Sequence, residues 1–153
     1  MGRPEPLATS DGRCLRALVG GAAVIVGGSL AATTVIGLAA IAGMAMRGDS
    51  ADSIVAEFSG SMALAVFVAL GGLLMSLIGG YIAATIAGRS QYWHALVAGA
   101  IATIVTVALL PVWGDTGPVW LTTLSTAGIV PLAAVGAWLA MPVPVLTVAA
   151  GER

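Results

Sequence analysis

Residues 68–88 read VALGGLLMSLIGGYIAATIAG, a run without a single charged side chain. Small residues recur at every fourth position of this run and form one stripe on a helix: Gly72, Ser76, Gly80, Ala84 and Gly88. Glycine inside a soluble helix costs about 1 kcal/mol relative to alanine, whereas in a bilayer small residues let a second backbone approach closely. The pattern therefore predicts a transmembrane helix that packs through this stripe.

The composition extends this prediction to the whole chain. Of its 153 residues, 59% are hydrophobic and 8% are charged, whereas soluble domains carry about 25% charged residues. We expect residues 1–153 to form one membrane domain, an all-α, polytopic, antiparallel bundle of four transmembrane helices. The predicted spans are about 15–46, 61–87, 92–113 and 118–141, preceded by a short polar tail at 1–13.

The first span is longer than a bilayer requires. Its uncharged part, residues 17–46, exceeds the roughly 20 residues that cross a membrane, so it must tilt, kink near Gly27 and Gly28, or protrude. With Gly20 and Gly21, these glycines form a second small-residue face at a spacing of seven. The alternative is a signal peptide, because residues 40–42 resemble a cleavage site, but its apolar region would be roughly 7–15 residues.

Residues 47–61 form the longest connection and leave two alternatives open. Ile54, Val55 and Phe58 follow a helical spacing that is typical of a short interfacial helix. Asp49, Asp52 and Glu57 are equally compatible with a solvated acidic loop, or with a loose external cation site.

The arginines predict the orientation of the chain in the membrane. With four spans, one side carries both termini and five arginines, and the other side carries only Arg47. This asymmetry favours cytoplasmic termini. Because all basic residues are Arg, and Ala, Gly and Val are abundant, we expect a bacterial inner (plasma) membrane. Tryptophans would anchor both interfaces, with Trp93 and Trp138 inside and Trp113 and Trp120 outside.

The predicted spans carry few polar groups. No Asp, Glu, Lys, Arg or His lies within their cores, which argues against a proton-coupled pump, a voltage sensor or a carboxylate-lined channel. Pro131 falls in mid-span and predicts a helix bend. The intramembrane hydroxyls serve either structural packing or a weakly polar path, whose candidate residues are Tyr81, Thr85, Thr122 and Thr126.

The chain contains no motif for catalysis, cofactor binding or metal binding. We accordingly expect none of these sites, and the net charge of −1 argues against a nucleic-acid partner. His94 is the only histidine, and interfacial solvation explains it. Cys14 is the only cysteine and is either an inert thiol or an acylation site at the membrane edge.

Several short segments carry a family resemblance. The chain resembles the hairpin of the second and third helices in small, uncharacterised four-helix bacterial membrane proteins. The matching segments are Gly-Gly-Tyr-Ile-Ala-Ala at residues 79–84, Ala-Gly-Arg at 87–89, His94-Ala95 and Gly99. This resemblance covers roughly a fifth of the chain. It implies four spans and no known activity, and it supplies no catalytic residues.

Three functions are compatible with these features. The first is a structural or accessory subunit of a membrane complex, or a self-associating bundle, since one small-residue face can pack within the bundle and another against a partner or a second copy. The alternative is transport or permeation of a neutral or amphiphilic solute. A membrane enzyme comes third, because it would need a buried acid–base pair, and we do not expect enzymatic activity.

Overall fold

The computed structural model describes residues 8–88, 91–113 and 118–141, with side chains for 12–88, 91–111 and 118–141. These residues are all-α and contain no strand. The helices are α1 (Ala8–Met46), α2 (Ala51–Gly60), α3 (Met62–Ala87), α4 (Gln91–Trp113) and α5 (Val119–Leu139). All but α2 are long and apolar enough to cross a membrane. The protein is therefore a multi-pass membrane protein built as a four-helix bundle.

Helix α1 is longer than predicted and runs unbroken through Gly27 and Gly28. Its 39 residues span about 58 Å at 1.5 Å per residue, whereas the hydrocarbon core is about 30 Å thick. Residues 8–13 were predicted as an irregular tail, but they belong to the helix, because the prolines that oppose a helix lie before Ala8. Residues 1–7 of the predicted tail lie outside the described residues.

The connection at 47–61 contains a helix, so the simple acidic loop is the wrong alternative. The Ser50 hydroxyl caps α2 by accepting a hydrogen bond from the Ser53 amide at 3.3 Å. Arg47 pairs with Glu57 at 3.3 Å and with Asp49 at 3.5 Å, which ties the start of the connection to α2. Phe58 lies against α1, with its ring 3.5 Å from where a Gly37 Cβ would stand.

The other helix boundaries lie within two residues of the predictions. Ser61 caps α3 by accepting from the Leu64 amide at 3.3 Å, and Gly88 ends α3 with a φ of 66°, a conformation that favours glycine. Pro111 lies in the last turn of α4, and the helix continues past it to Trp113. A proline in the last turn removes a single backbone hydrogen bond, which the helix tolerates there.

Helix α3 is the central element of the bundle. It packs against α1, α4 and α5, whereas α1 and α5 occupy opposite corners. Glycines permit direct backbone contact on its two sides. A Cβ on Gly80 would lie 2.5 Å from Ala133 Cα of α5, and a Cβ on Gly79 would lie 2.9 Å from the Gly21 carbonyl oxygen of α1. Such distances leave no space for a side chain, so the helices are joined through small residues.

The tightest packing occupies one half of the bundle, where α1 begins and α3 ends. The buried side chains there are almost all small; two adjoining clusters comprise Ala83, Ala84, Ala95, Ala98 and Ala137, and Ile25, Ala102, Ile129 and Ala133. In this half, close approach of backbones replaces the large interlocking side chains of a soluble core.

Some of the predicted packing residues contact a neighbouring helix and others do not. Ser76, Gly80 and Ala84 are buried on α3. Other positions touch a neighbouring helix: Gly20 and Ile86, Gly21 and Ala83, Gly28 and Met75, Gly72 and Ser29. Gly27 and Gly88 depart from the prediction, because a Cβ on either would meet no described atom within 4 Å. Gly27 lies on the face of α1 turned away from α3, and Gly88 lies beyond the last turn of its helix.

Candidate functional site

The four long helices line a partly open cavity of about 380 Å³ in the half of the bundle opposite the tight packing. It lies between the later part of α1, the beginning of α3, the end of α4 and the beginning of α5. Ile129 lines its inner end and belongs to the buried cluster with Ile25, Ala102 and Ala133. Ile129 is thus the residue at which the cavity meets this buried apolar cluster.

Hydroxyl groups form the polar part of the cavity wall. They come from three helices: Ser29, Thr33 and Thr34 on α1, Thr106 on α4, and Thr122, Ser125 and Thr126 on α5. The remaining described lining residues are aliphatic or glycine, and none of the described lining residues is Asp, Glu, Lys, Arg or His. Dipoles without a net charge therefore face the enclosed space.

The hydroxyls differ in whether they already have a hydrogen-bond partner. Those of Ser29, Thr34 and Ser125 donate to carbonyl oxygens of their own helices, the last at 3.0 Å to Thr122. Within the part of the chain that the structure describes, the four other wall hydroxyls make no hydrogen bond: Thr33, Thr106, Thr122 and Thr126. These groups can donate to or accept from a molecule in the cavity.

The aliphatic part of the wall suits a hydrocarbon. Leu30 of α1, Val68 of α3, and Leu110 and Leu121 at the ends of α4 and α5 line the same space as the hydroxyls. Ligand pockets of about 300–1,000 Å³ with apolar walls and a few polar groups are typical small-molecule sites. The arrangement can hold an uncharged molecule that has both a polar and an apolar part.

Two of the four predicted polar-path residues line the cavity. Thr122 and Thr126 belong to its wall. Tyr81 and Thr85 do not, because Gly80 and Ala84 take the face of α3 toward α5 and leave these two side chains exposed on the outside of the bundle. The Thr85 hydroxyl instead donates to the Ile82 carbonyl at 2.8 Å.

The sequence interpretation missed the contribution of α1 to this wall. Ser29 and Thr33 are four residues apart and, with Val26 and Leu30, lie on one side of the helix. The spacing of Ser29 and Thr33 was the available signal, but the prediction for this part of α1 was based on Gly27 and Gly28.

Three of the predicted interface tryptophans have described side chains. Trp93 is exposed near the start of α4, Trp120 near the start of α5, and Trp138 near its end. Their positions at helix ends are compatible with the two expected interfaces. The Trp113 side chain lies outside the described side chains.

Pro131, which was predicted to bend its helix, lies inside α5, and α5 continues through it as one helix.

Two of the acidic residues near α2 form ion pairs with an arginine of the chain. Arg47 pairs with Asp49 and Glu57, two of the three acids considered for a cation. Across the described ranges, no group of three or more His, Cys, Asp or Glu side chains is placed to hold a metal ion.

Comparisons with known proteins find no matching family model, no matching curated protein and no matching solved structure. The function must therefore be inferred from the cavity and the surfaces of this chain.

Proposed function

We propose that the protein binds an uncharged, amphiphilic molecule in its hydroxyl-lined cavity and serves its permeation or transport within the membrane. The observation that carries this proposal is that four threonine hydroxyls without a hydrogen-bond partner among the described residues share one cavity with an aliphatic wall. The glycine faces that favoured a partner-binding role are largely occupied inside the bundle, by contacts such as those of Gly80 and Gly79.

The described lining residues carry no charge, which favours an uncharged ligand. A charged group entering this cavity would lose its hydration without meeting a counter-charge, at a cost of several kcal/mol. A hydroxyl, ether or carbonyl group would instead exchange hydrogen bonds with Thr33, Thr106, Thr122 and Thr126. Among the described lining residues there is no acid–base pair, and we propose binding and passage without an enzymatic step.

The buried cluster next to the cavity bears on how a bound molecule could pass through the bundle. Ile129 lines the cavity and packs with Ile25 and Ala102 in this cluster, and we propose that this conformation is a binding state. Passage would require this cluster to separate, and α5 carries Pro131 two residues after Ile129.

A binding experiment tests the proposal with labelled 1-monooleoylglycerol, an uncharged amphiphile with two hydroxyls, on the protein in nanodiscs. We expect saturable binding that weakens about tenfold in Thr122→Val/Thr126→Val, because two hydrogen bonds of about 0.5–1.5 kcal/mol each are lost. The control is Thr123→Val, on the exposed side of α5, where the hydroxyl donates to the Val119 carbonyl. Unsaturable binding, or equal affinities in all three proteins, would contradict the proposal.

A structural or accessory role is the second candidate, and one surface favours it. Ala23, Gly27 and Ala31 form an exposed small-residue stripe on α1, and Gly27 has no described neighbour within 4 Å of its Cβ position. A second copy or a partner helix can approach closely there. Gly27→Leu should abolish Förster transfer between labelled copies in vesicles if this stripe mediates self-association, whereas Leu38→Ala, farther along the exposed side of α1, should preserve it.

The distribution of arginines supports a particular membrane and orientation. We propose a bacterial plasma membrane with both termini in the cytoplasm, supported by five arginines on the side of the termini and one on the other. In this orientation the cavity lies in the outer half of the bundle, toward α2.

A further inference from the structure

A second group of side chains lies at the opposite end of the bundle from the cavity. Cys14, on the first turns of α1, and His94, on the first turn of α4, are 80 positions apart in the chain. Their helices run in the same direction and meet here, with the Cys14 Sγ atom 2.5 Å from the His94 Nε2 atom. The only cysteine and the only histidine of the chain are thus brought into contact by the fold.

This contact pairs a nucleophile with a base. When the imidazole carries its proton on Nδ1, Nε2 can accept the proton of the thiol and leave a thiolate, which is the reactive form of cysteine. A nucleophile and a base within hydrogen-bond reach are the usual structural sign of covalent chemistry.

The position of the thiol indicates its reaction partner. Cys14 is exposed, and Leu15 and Val19 beside it are 63% and 59% exposed, so a chain attached there would enter an apolar environment. Tyr92 and Trp93 start α4 at the same level and are exposed, as interfacial aromatic residues are. The sulfur therefore lies near the boundary between water, which supplies a soluble acyl donor, and lipid, which accepts an acyl chain.

We propose that Cys14 is an S-acylation site that reacts with a long-chain acyl thioester, with His94 as the base. His94 Nε2 removes the thiol proton, and the sulfur attacks the thioester carbonyl carbon. A new sulfur–carbon bond forms, the carbon–sulfur bond of the donor breaks, and the departing thiolate takes the proton back from the imidazole. The exchange of one thioester for another requires no oxidant or reductant.

The experiment uses the full chain in nanodiscs with palmitoyl-CoA as the donor. Intact-mass spectrometry follows the gain of one palmitoyl group, and hydroxylamine treatment identifies a thioester by removing it. We expect the native protein to be acylated at least about tenfold faster than His94→Gln, because general base catalysis contributes roughly 10²–10⁴-fold where it is fully used. Added imidazole should restore part of the rate to His94→Ala.

A matched control tests the role of the contact with His94 left intact. In Cys14→Ser/Gly12→Cys the thiol is moved two residues along α1, to a position where a Cβ meets no described atom within 4 Å. This thiol should react at the slow rate of His94→Gln. Equal rates for the native protein and this control, or no hydroxylamine-sensitive mass gain on the native protein, would overturn the proposal. The control also decides the question if His94 variants do not fold.

Discussion

Adding one methyl group at Gly80 is expected to destabilise the bundle strongly. A Cβ there would lie 2.5 Å from Ala133 Cα and closer still to the Ala133 carbonyl oxygen, all backbone atoms of α5. Carbon atoms in contact prefer about 3.5–4.0 Å, so α3 and α5 must separate by about 1 Å or more. Flexible side chains could absorb such a change, but two helix backbones cannot.

The expected loss of stability in Gly80→Ala is large because the atoms that clash belong to helix backbones. Overpacking a well-packed core typically costs about 1–3 kcal/mol. We expect Gly80→Ala to lie at the upper end, near 3 kcal/mol, because the separation also affects Gly136, whose Cβ position is 2.8 Å from the Tyr81 amide nitrogen. The intrinsic preference of helices for alanine, about 1 kcal/mol at most, offsets only part of this loss.

Unfolding by sodium dodecyl sulfate in mixed micelles, followed by circular dichroism, measures this loss. Gly27→Ala is the matched control, because it makes the same substitution in a transmembrane helix where a Cβ meets no described atom within 4 Å. The control should be neutral or slightly stabilising. If Gly80→Ala and Gly27→Ala unfold at the same detergent fraction, the close α3–α5 contact does not exist and the reasoning fails.

Three further predictions concern other parts of the bundle. Ser76→Ala should change the unfolding free energy by less than about 1 kcal/mol, because the buried hydroxyl only donates to the Gly72 carbonyl of its own helix at 3.0 Å; a larger loss in the same micelle assay would show an interhelical role. Arg47→Ala should speed amide exchange across α2 with little loss of global stability, since its ion pairs are exposed; unchanged exchange would show that these ion pairs do not stabilise α2. Brominated lipids should quench Trp93 and Trp138 best when the bromine lies near the headgroups, and stronger quenching by bromine at the chain ends would contradict their interfacial position.

The four spans could be predicted from the sequence because a bilayer permits few alternatives. A backbone in hydrocarbon must satisfy its hydrogen bonds internally, so each long apolar segment becomes a helix. Helix α2 was undecided for the opposite reason. A ten-residue helix is marginal by itself. Its stability depends on the contact of Phe58 with α1 and on the ion pair between Arg47 and Glu57, and local periodicity contains neither.

The rotation of each helix about its axis was the harder problem. In a soluble helix, polar residues mark the outside, but here the lipid-facing and bundle-facing sides are both apolar. Small residues were therefore the only guide, and they identified Gly80 and Ala84 while leaving Gly79 and Ala83, which face α1, unassigned. For the same reason the cavity, which depends on how four helices diverge, could be anticipated only through Thr122 and Thr126.

The central claim is that the chain crosses the membrane four times with both ends on one side, and topology mapping in cells tests it most directly. Reporters active only in the cytoplasm or only outside are fused at each terminus and inserted within α2. The account predicts cytoplasmic signals from both termini and an external signal from α2. Termini that report from opposite sides, or an α2 reporter on the same side as both termini, would contradict it.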